Sequence, residues 1–341
     1  MFRLLALLQL TRAALAFTAV ADAWAVFLLA APGSLGAVER YGWVGAIGRM
    51  VLLGCISVGL YGFGMVLNDL MDVRRDRVLA PRRPLPSGRL GVRTALVVAV
   101  ALLMMSLSAS VLLSMWEIVG GHAWVPWGML LTMLTVCLIV AYDAATKYFG
   151  ALGLLTLGLI RAVHCLIGNV HAEAMFLPMF LFTHVLLISV VCYRLEHKRP
   201  RMGKWDVLFT VAGLVGVNGF FVALMYWRGG LTPMNWGLLY GPALVAGAYL
   251  LWALFYTFVY RRGLYSPREL GGRLMVMGLF WLFVYDAGAL LGNRQWLAGM
   301  AVIGLWLCAL GLFFGIRALA ALQAGRSKFE AEVKPNGSKA V

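Results

Sequence analysis

Asn68-Asp69-Leu70-Met71-Asp72-Val73-Arg74-Arg75-Asp76, followed by Arg82-Arg83-Pro84-Leu85-Pro86-Ser87-Gly88-Arg89, puts clustered carboxylates and a basic, proline-punctuated loop at the end of a membrane-length apolar segment. On a helix, Asp69, Asp72 and Asp76 fall at i, i+3 and i+7 on one face, with Asn68 one turn before Asp72. Acids converging in this way repel one another, so a hard divalent cation is their natural partner. Oxygen-only ligands suit Mg²⁺ held together with phosphate oxygens. The plain alternative for an isolated D-x-x-D is a solvated loop that merely carries charge.

Working outward, composition fixes the class. The 341 residues are 62% hydrophobic and 13% charged, with a mean hydropathy of +0.86, outside the range of a soluble globular domain. Apolar stretches of spanning length lie near 13–32, 46–67, 93–115, 124–141, 149–168, 175–193, 207–227, 236–260, 273–292 and 296–320. The expected fold is therefore all-α, a polytopic transmembrane bundle of nine or ten helices. It forms one domain over 1–324, and the polar residues 325–341 are expected to be a disordered cytoplasmic tail.

A net charge of +15 raises the question of nucleic acid, but the basic residues gather on alternate loops. One side carries Arg74 to Arg93, Lys147, Arg194 to Lys204, Arg261 to Arg273 and the tail; the other has little beyond Arg40, Arg49, Arg228 and Arg294. The positive-inside rule explains this pattern without nucleic acid, and it puts the Asp-rich loop, and both termini of a ten-helix chain, in the cytoplasm. The first segment has the charged start of a signal peptide but no convincing cleavage site, and reads as a retained helix. A bacterial inner membrane is the expected location. The five cysteines lie in or at the end of apolar segments without C-x-x-C spacing, which argues against disulfides or a zinc site.

Further charged groups recur near the cytoplasmic ends of later segments. Tyr142 and Lys147 close the fourth: a phenol at the mouth of a cavity and a compact positive charge suited to a phosphate oxygen, or else an interfacial aromatic and a snorkelling lysine. Glu196 stands among Arg194, Lys198, Arg199 and Arg201 after the sixth, as a second metal ligand among diphosphate-neutralising bases or as a surface carboxylate. Arg161 lies about halfway along the fifth segment, where an ionised side chain costs several kcal/mol unless paired or hydrated, and is a site candidate by default. Asp286 in the ninth is a possible partner for it. His164 reads as a satisfied interior histidine and Asn169 as a helix-end cap.

This order of motifs resembles the UbiA superfamily of intramembrane prenyltransferases. The specific part is the family's N-D-x-x-D-x-x-x-D, here Asn68 to Asp76, with R-P-L-P-S-G intact as Arg83 to Gly88. The tyrosine and lysine after the fourth helix, a glycine- and arginine-bearing fifth helix and a charged patch after the sixth follow in order, so the likeness runs from about Arg12 to Asp286. The family's second D-x-x-x-D motif is depleted to Tyr193-Arg194-Leu195-Glu196, which is similar to the EboC-like branch. Ala16-Phe17-Thr18 stands where many members carry an asparagine, and a tenth helix exceeds the usual nine.

The resemblance implies Mg²⁺-dependent transfer of a prenyl group from a polyprenyl diphosphate to a small lipophilic, typically aromatic, acceptor within the lipid bilayer. It implies metal binding by Asn68, Asp69, Asp72 and Asp76, with Glu196 for a second ion. Arg75, Lys147, Arg194 and Lys198 would bind the diphosphate, and Asp69, Asp72, Tyr142, Lys147 and Arg161 would be the catalytic set. Two readings stay open beside it. One is a member that binds an isoprenoid without turning it over, since the second acidic motif is depleted. The other is a transporter, although no inverted repeat or paired broken helices mark a midplane substrate site.

Overall fold

The computed structural model describes residues 2–29, 36–172, 175–196, 201–232, 237–260, 262–263 and 265–333. In hydrocarbon every backbone polar group has to be satisfied within its own segment, so each apolar run closes into a helix. The helices are α1 (Phe2–Leu10), α2 (Ala13–Leu29), α3 (Gly36–Met71), α4 (Val73–Leu79), α5 (Val92–Val119), α6 (Trp127–Ala144), α7 (Gly150–Leu166), α8 (Phe176–Leu195), α9 (Lys204–Trp227), α10 (Gly237–Tyr260), α11 (Pro267–Gly292) and α12 (Trp296–Val333). Among the described residues there is no strand. Eight of these helices are long and apolar enough to cross a membrane, and α1 with α2, bent by 44°, makes a ninth span if taken as one. α7, at 17 residues, is a shorter apolar helix.

Three boundaries depart from the sequence reading. A short helix, α1, precedes the first apolar run and is set off from it at residues 11–12, where Arg12 takes a left-handed φ of 48°. α3 begins ten residues earlier than its apolar run and turns at Gly42, whose φ of 68° suits a residue without a Cβ. α12 continues as a helix to Val333, past the Gly325 at which a polar tail was expected. Residues 334–341 of that segment lie outside the described residues.

The core forms along α2, which packs against α3, α7, α11 and α12. α3 and α5 meet most extensively, through Leu53, Ile56 and Leu60 on one helix and Ala95 and Ala99 on the other. Small residues set that approach: a Cβ on Gly59 would lie 2.6 Å from the Leu102 carbonyl oxygen and 2.8 Å from Ser106 Cβ. Backbone cannot retreat as a flexible side chain can, so Gly59→Ala should destabilise the bundle by about 1–3 kcal/mol through overpacking. Gly54→Ala, whose Cβ would meet Trp24 and Val20 only at 4.0 Å, should be neutral or stabilising because alanine is the better helix former. Thermal unfolding of the two variants in one detergent checks the contrast, and equal midpoints would refute it.

Near the other end of α3, Arg49 is 2% exposed. It bonds to Glu117 of α5 at 2.5 Å and lies over Tyr41 and Trp116. Contacts between helix ends define the opposite end of the bundle. Lys147 after α6 reaches Asp72 after α3. Asp206 in the first turn of α9 accepts from Ala151 N at the start of α7. Glu196, capping α8, lies over Gly271 near the start of α11. The loops bearing the Asp-rich run, Lys147 and Glu196 therefore share one end.

Candidate active site

α3 ends at Met71, and Asp72 stands between it and α4. The helical course is nearly kept, since Asp72 N bonds to Asn68 O at 3.0 Å and Asp76 N to Asp72 O at 2.8 Å. The acidic run therefore presents Asp69, Asp72 and Asp76 on one side, as its spacing predicts. These carboxylates are not a solvated charge cluster: the three residues are 4%, 9% and 4% exposed. A group of buried acids needs positive charge close by, and three separate parts of the chain supply it. Arg83 Nη1 lies 2.5 Å from Asp76 Oδ2 and 3.5 Å from Asp69 Oδ1, Arg12 approaches Asp69 to 3.9 Å, and Lys147 Nζ bonds to Asp72 Oδ1 at 3.1 Å.

The Arg-Pro-Leu-Pro-Ser-Gly loop explains the reach of Arg83. Leu85 and Leu90 are buried in the cluster that joins α3 to α5. Ser87 N to Arg83 O (3.1 Å), Gly88 N to Leu85 O (3.1 Å) and Leu90 N to Pro84 O (3.2 Å) fold the segment on itself. Gly88 supplies the φ of 72° that the turn requires. Arg89 ties the loop to α1 through Gln9 Oε1 at 2.9 Å and to its own start through Arg82 O at 2.6 Å. The loop is thus a brace that delivers a guanidinium to two carboxylates.

α6 supplies the facing wall. Tyr142 is half-buried and within electrostatic reach of Asp72, Arg12 and Arg75. Asp143, 2% exposed, accepts from Asn68 Nδ2 at 2.8 Å and from Lys147 Nζ at 3.4 Å. Lys147 stands on a short 3₁₀ turn, Thr146–Tyr148. That turn lies so close on α7 that a Cβ at Gly153 would sit 2.8 Å from Thr146 O. The lysine's backbone is fixed while its side chain bridges two acids.

The structure brings together Asn68, Asp69, Asp72, Asp76, Tyr142 and Lys147 from the sequence-derived set. Arg75 is exposed on α4 beside them, and Arg194 is exposed in the last turn of α8. Lys198 lies outside the described residues. Arg161 is engaged elsewhere: its guanidinium pairs with Asp22 of α2, and Asp286 of α11 lies against Asp22. His164 bonds to Ser57 Oγ at 3.0 Å through one ring nitrogen while its buried Nδ1 has no partner among the described residues, and Asn169 Oδ1 accepts from His171 N at 2.9 Å within the loop between α7 and α8 rather than capping either helix. Arg12, Arg83, Asp143 and Asp22 were missed. Asp22 had a readable signal, since any ionisable residue within a spanning segment is a candidate by the argument applied to Arg161.

Among the described residues no three acidic, cysteine or histidine side chains converge tightly enough to enclose an ion by themselves. Mg²⁺ does not need this, since it binds through one or two carboxylates with the rest of its shell from water and substrate phosphates. Asn68 Oδ1 and the carboxylates of Asp69, Asp72 and Asp76 are hard oxygen donors at one helix end, and fit that pattern. The bases among them fit a polyanionic partner.

Fold and site together define a polytopic all-α membrane protein with a buried acid-base cluster at one end of its bundle. The family model described as "UbiA prenyltransferase family" matches residues 15–264, and the chain belongs to that family. It is similar to digeranylgeranylglyceryl phosphate synthase of Sulfurisphaera tokodaii, 28% identical over 120 residues that make up 35% of this chain and 38% of that protein. It is also similar to the enzyme of the same name from Saccharolobus solfataricus, 37% identical over 70 residues, 20% of this chain and 25% of that one. The matches thus span well under half of these relatives' lengths. Among solved structures, one of a digeranylgeranylglyceryl phosphate synthase is similar with a TM-score of 0.55 at 16% identity, over 86% of this chain and 100% of that one. A UbiA homologue from Aeropyrum pernix gives 0.54 at 17%, over 81% and 97%. At these identities the structural likeness speaks to the fold alone.

Proposed function

We propose that the protein transfers a prenyl group from a polyprenyl diphosphate to a lipophilic acceptor inside the membrane, with Mg²⁺ as cofactor. The observation that carries the reading is the interlocked set of buried acids and bases. Asp69, Asp72 and Asp76 are neutralised by Arg12, Arg83 and Lys147, and a magnesium diphosphate offers each side of that set a matching partner. Mg²⁺ bound at Asn68, Asp69, Asp72 and Asp76 would supply Lewis acidity toward the departing diphosphate. Lys147 and Arg83, turned from carboxylate to phosphate oxygens, would donate charge-assisted hydrogen bonds that strengthen as the leaving group gains charge.

Arg75, exposed on α4, would join them, and Tyr142 with the apolar helix walls would shield the allylic cation from water. Arg194, Glu196 and Lys198 belong to the reading as the counterpart of the depleted second motif, with Glu196 as ligand of a second ion and the EboC-like pattern as its sequence mark. The acceptor's nucleophile takes C1 of the prenyl chain as the C–O bond to diphosphate breaks, and the acceptor's proton goes to water or to the released pyrophosphate. The names of the similar archaeal proteins favour a glyceryl phosphate lipid over an aromatic acceptor.

The test is pyrophosphate release in nanodiscs from geranyl, farnesyl and geranylgeranyl diphosphates, with and without Mg²⁺. Geranylgeranylglyceryl phosphate and an aromatic phenol serve as acceptors, and the prenylated product is identified by mass. Mg²⁺-dependent release with formation of a prenylated lipid is the expected result. Tight binding of a donor without release would leave a non-catalytic isoprenoid binder, and solute counterflow in proteoliposomes would replace the enzyme by a transporter.

A further inference from the structure

Asp143 belongs neither to the acidic run nor to the depleted second motif, yet it makes the connection on which both Asn68 and Lys147 depend. It projects from α6, is 2% exposed, and accepts from Asn68 Nδ2 at 2.8 Å and Lys147 Nζ at 3.4 Å, while the same ammonium bonds to Asp72 at 3.1 Å. An amide has a donating end and an accepting end, and a carboxylate can only accept. Asp143 therefore selects the nitrogen of Asn68 and turns its carbonyl oxygen the other way. That oxygen is the end of the amide able to ligate a hard cation. An ordinary i,i+4 ion pair between Asp143 and Lys147 would not need the contact to Asn68, 75 residues away.

We propose that Asp143 is a positioning residue of the metal-diphosphate site: it presents Asn68 Oδ1 to the cation and retains Lys147 beside the diphosphate once Asp72 engages the metal. The proposal rests on the prenyl-transfer reading of this site. Its chemistry is that of an outer-shell carboxylate orienting a ligand, whose removal typically lowers metal affinity about 10–100-fold. The hydrogen bond has a defined direction, so it can be reversed. Asn68→Asp combined with Asp143→Asn exchanges donor and acceptor, keeps the charge of the pair, and leaves an oxygen at position 68 facing the cation.

The experiment measures binding of Mn²⁺, with inorganic pyrophosphate present, by electron paramagnetic resonance on the full chain in nanodiscs. Thermal unfolding of each variant confirms that it is folded. Asp143→Asn should weaken Mn²⁺ binding at least tenfold, Asn68→Asp alone should also weaken it through repulsion between two facing carboxylates, and the double exchange should recover most of the loss. Mn²⁺ affinity in Asp143→Asn within twofold of wild type, or a double variant no better than the singles, overturns the role of Asp143. If Asp143→Asn does not fold, Asp143→Ala, which offers no acceptor to Asn68, is measured in its place with the same thresholds. Asp72→Asn run alongside separates the two levels. Binding that needs Asp72 but not Asp143 refutes this inference alone, whereas wild-type binding indifferent to Asp72 removes the site reading and the inference together.

Discussion

Asp72→Asn should leave a folded protein whose rate of pyrophosphate release is lower by about a thousandfold, roughly 4 kcal/mol of transition-state stabilisation. Asp72 stands at the break between α3 and α4 and faces Lys147 at 3.1 Å, so it is the acid shared between the run proposed to hold the metal and the lysine proposed to bind the diphosphate. Replacing its carboxylate by an amide keeps shape and one oxygen but removes a full negative charge from the shell of a divalent ion, where several kcal/mol of charge stabilisation are at stake. Stability should change little, because Lys147 retains Asp143 at 3.4 Å. Single-turnover release at saturating Mg²⁺, set beside the thermal midpoint, checks both halves. A rate within tenfold of wild type would show that the run does not hold the catalytic ion.

The sequence carried much of this arrangement because the decisive signals are periodic or local. Asp69, Asp72 and Asp76 share a side because a helical period requires it, and apolar run length marked ten segments where the structure has helices. What could not be read were pairings set by tertiary geometry. Arg83 was visible beside its prolines, but its reach to Asp69 and Asp76 depends on Leu85 and Leu90 anchoring a folded loop. Asn68 and Asp143 are 75 residues apart, and nothing in either helix alone specifies their contact. Burial was the other missing quantity: a D-x-x-D at a helix end looks the same on paper whether solvated or, as here, enclosed by three cations. The bend at Arg12 is a departure of the same kind, since a left-handed backbone that sets α1 off from α2 leaves no mark in an apolar run counted from residue 13.

Arg161→Leu should destabilise the bundle by about 3–5 kcal/mol, the usual cost of removing one partner from a buried ionic pair. Arg161 is 7% exposed and pairs with Asp22 of α2, against which Asp286 of α11 lies, and both acids are 0% exposed. Without the guanidinium, two carboxylates face each other in a membrane-embedded interior, and water cannot relieve them as it would at a surface. Neutralising the whole cluster with Asp22→Asn, Arg161→Leu and Asp286→Asn should restore most of the lost stability, because the attraction in a buried pair is largely consumed by the desolvation of its members. Unfolding in a fixed detergent measures both variants, and Arg161→Leu within 1 kcal/mol of wild type would refute the stabilising role of the pair. The triple variant also decides what Arg161 is for. If it is stable and releases pyrophosphate, the arginine serves to join α2, α7 and α11. If it is stable but inactive, the arginine belongs to the catalytic set, acting from the interior on a substrate group that reaches past Asp72.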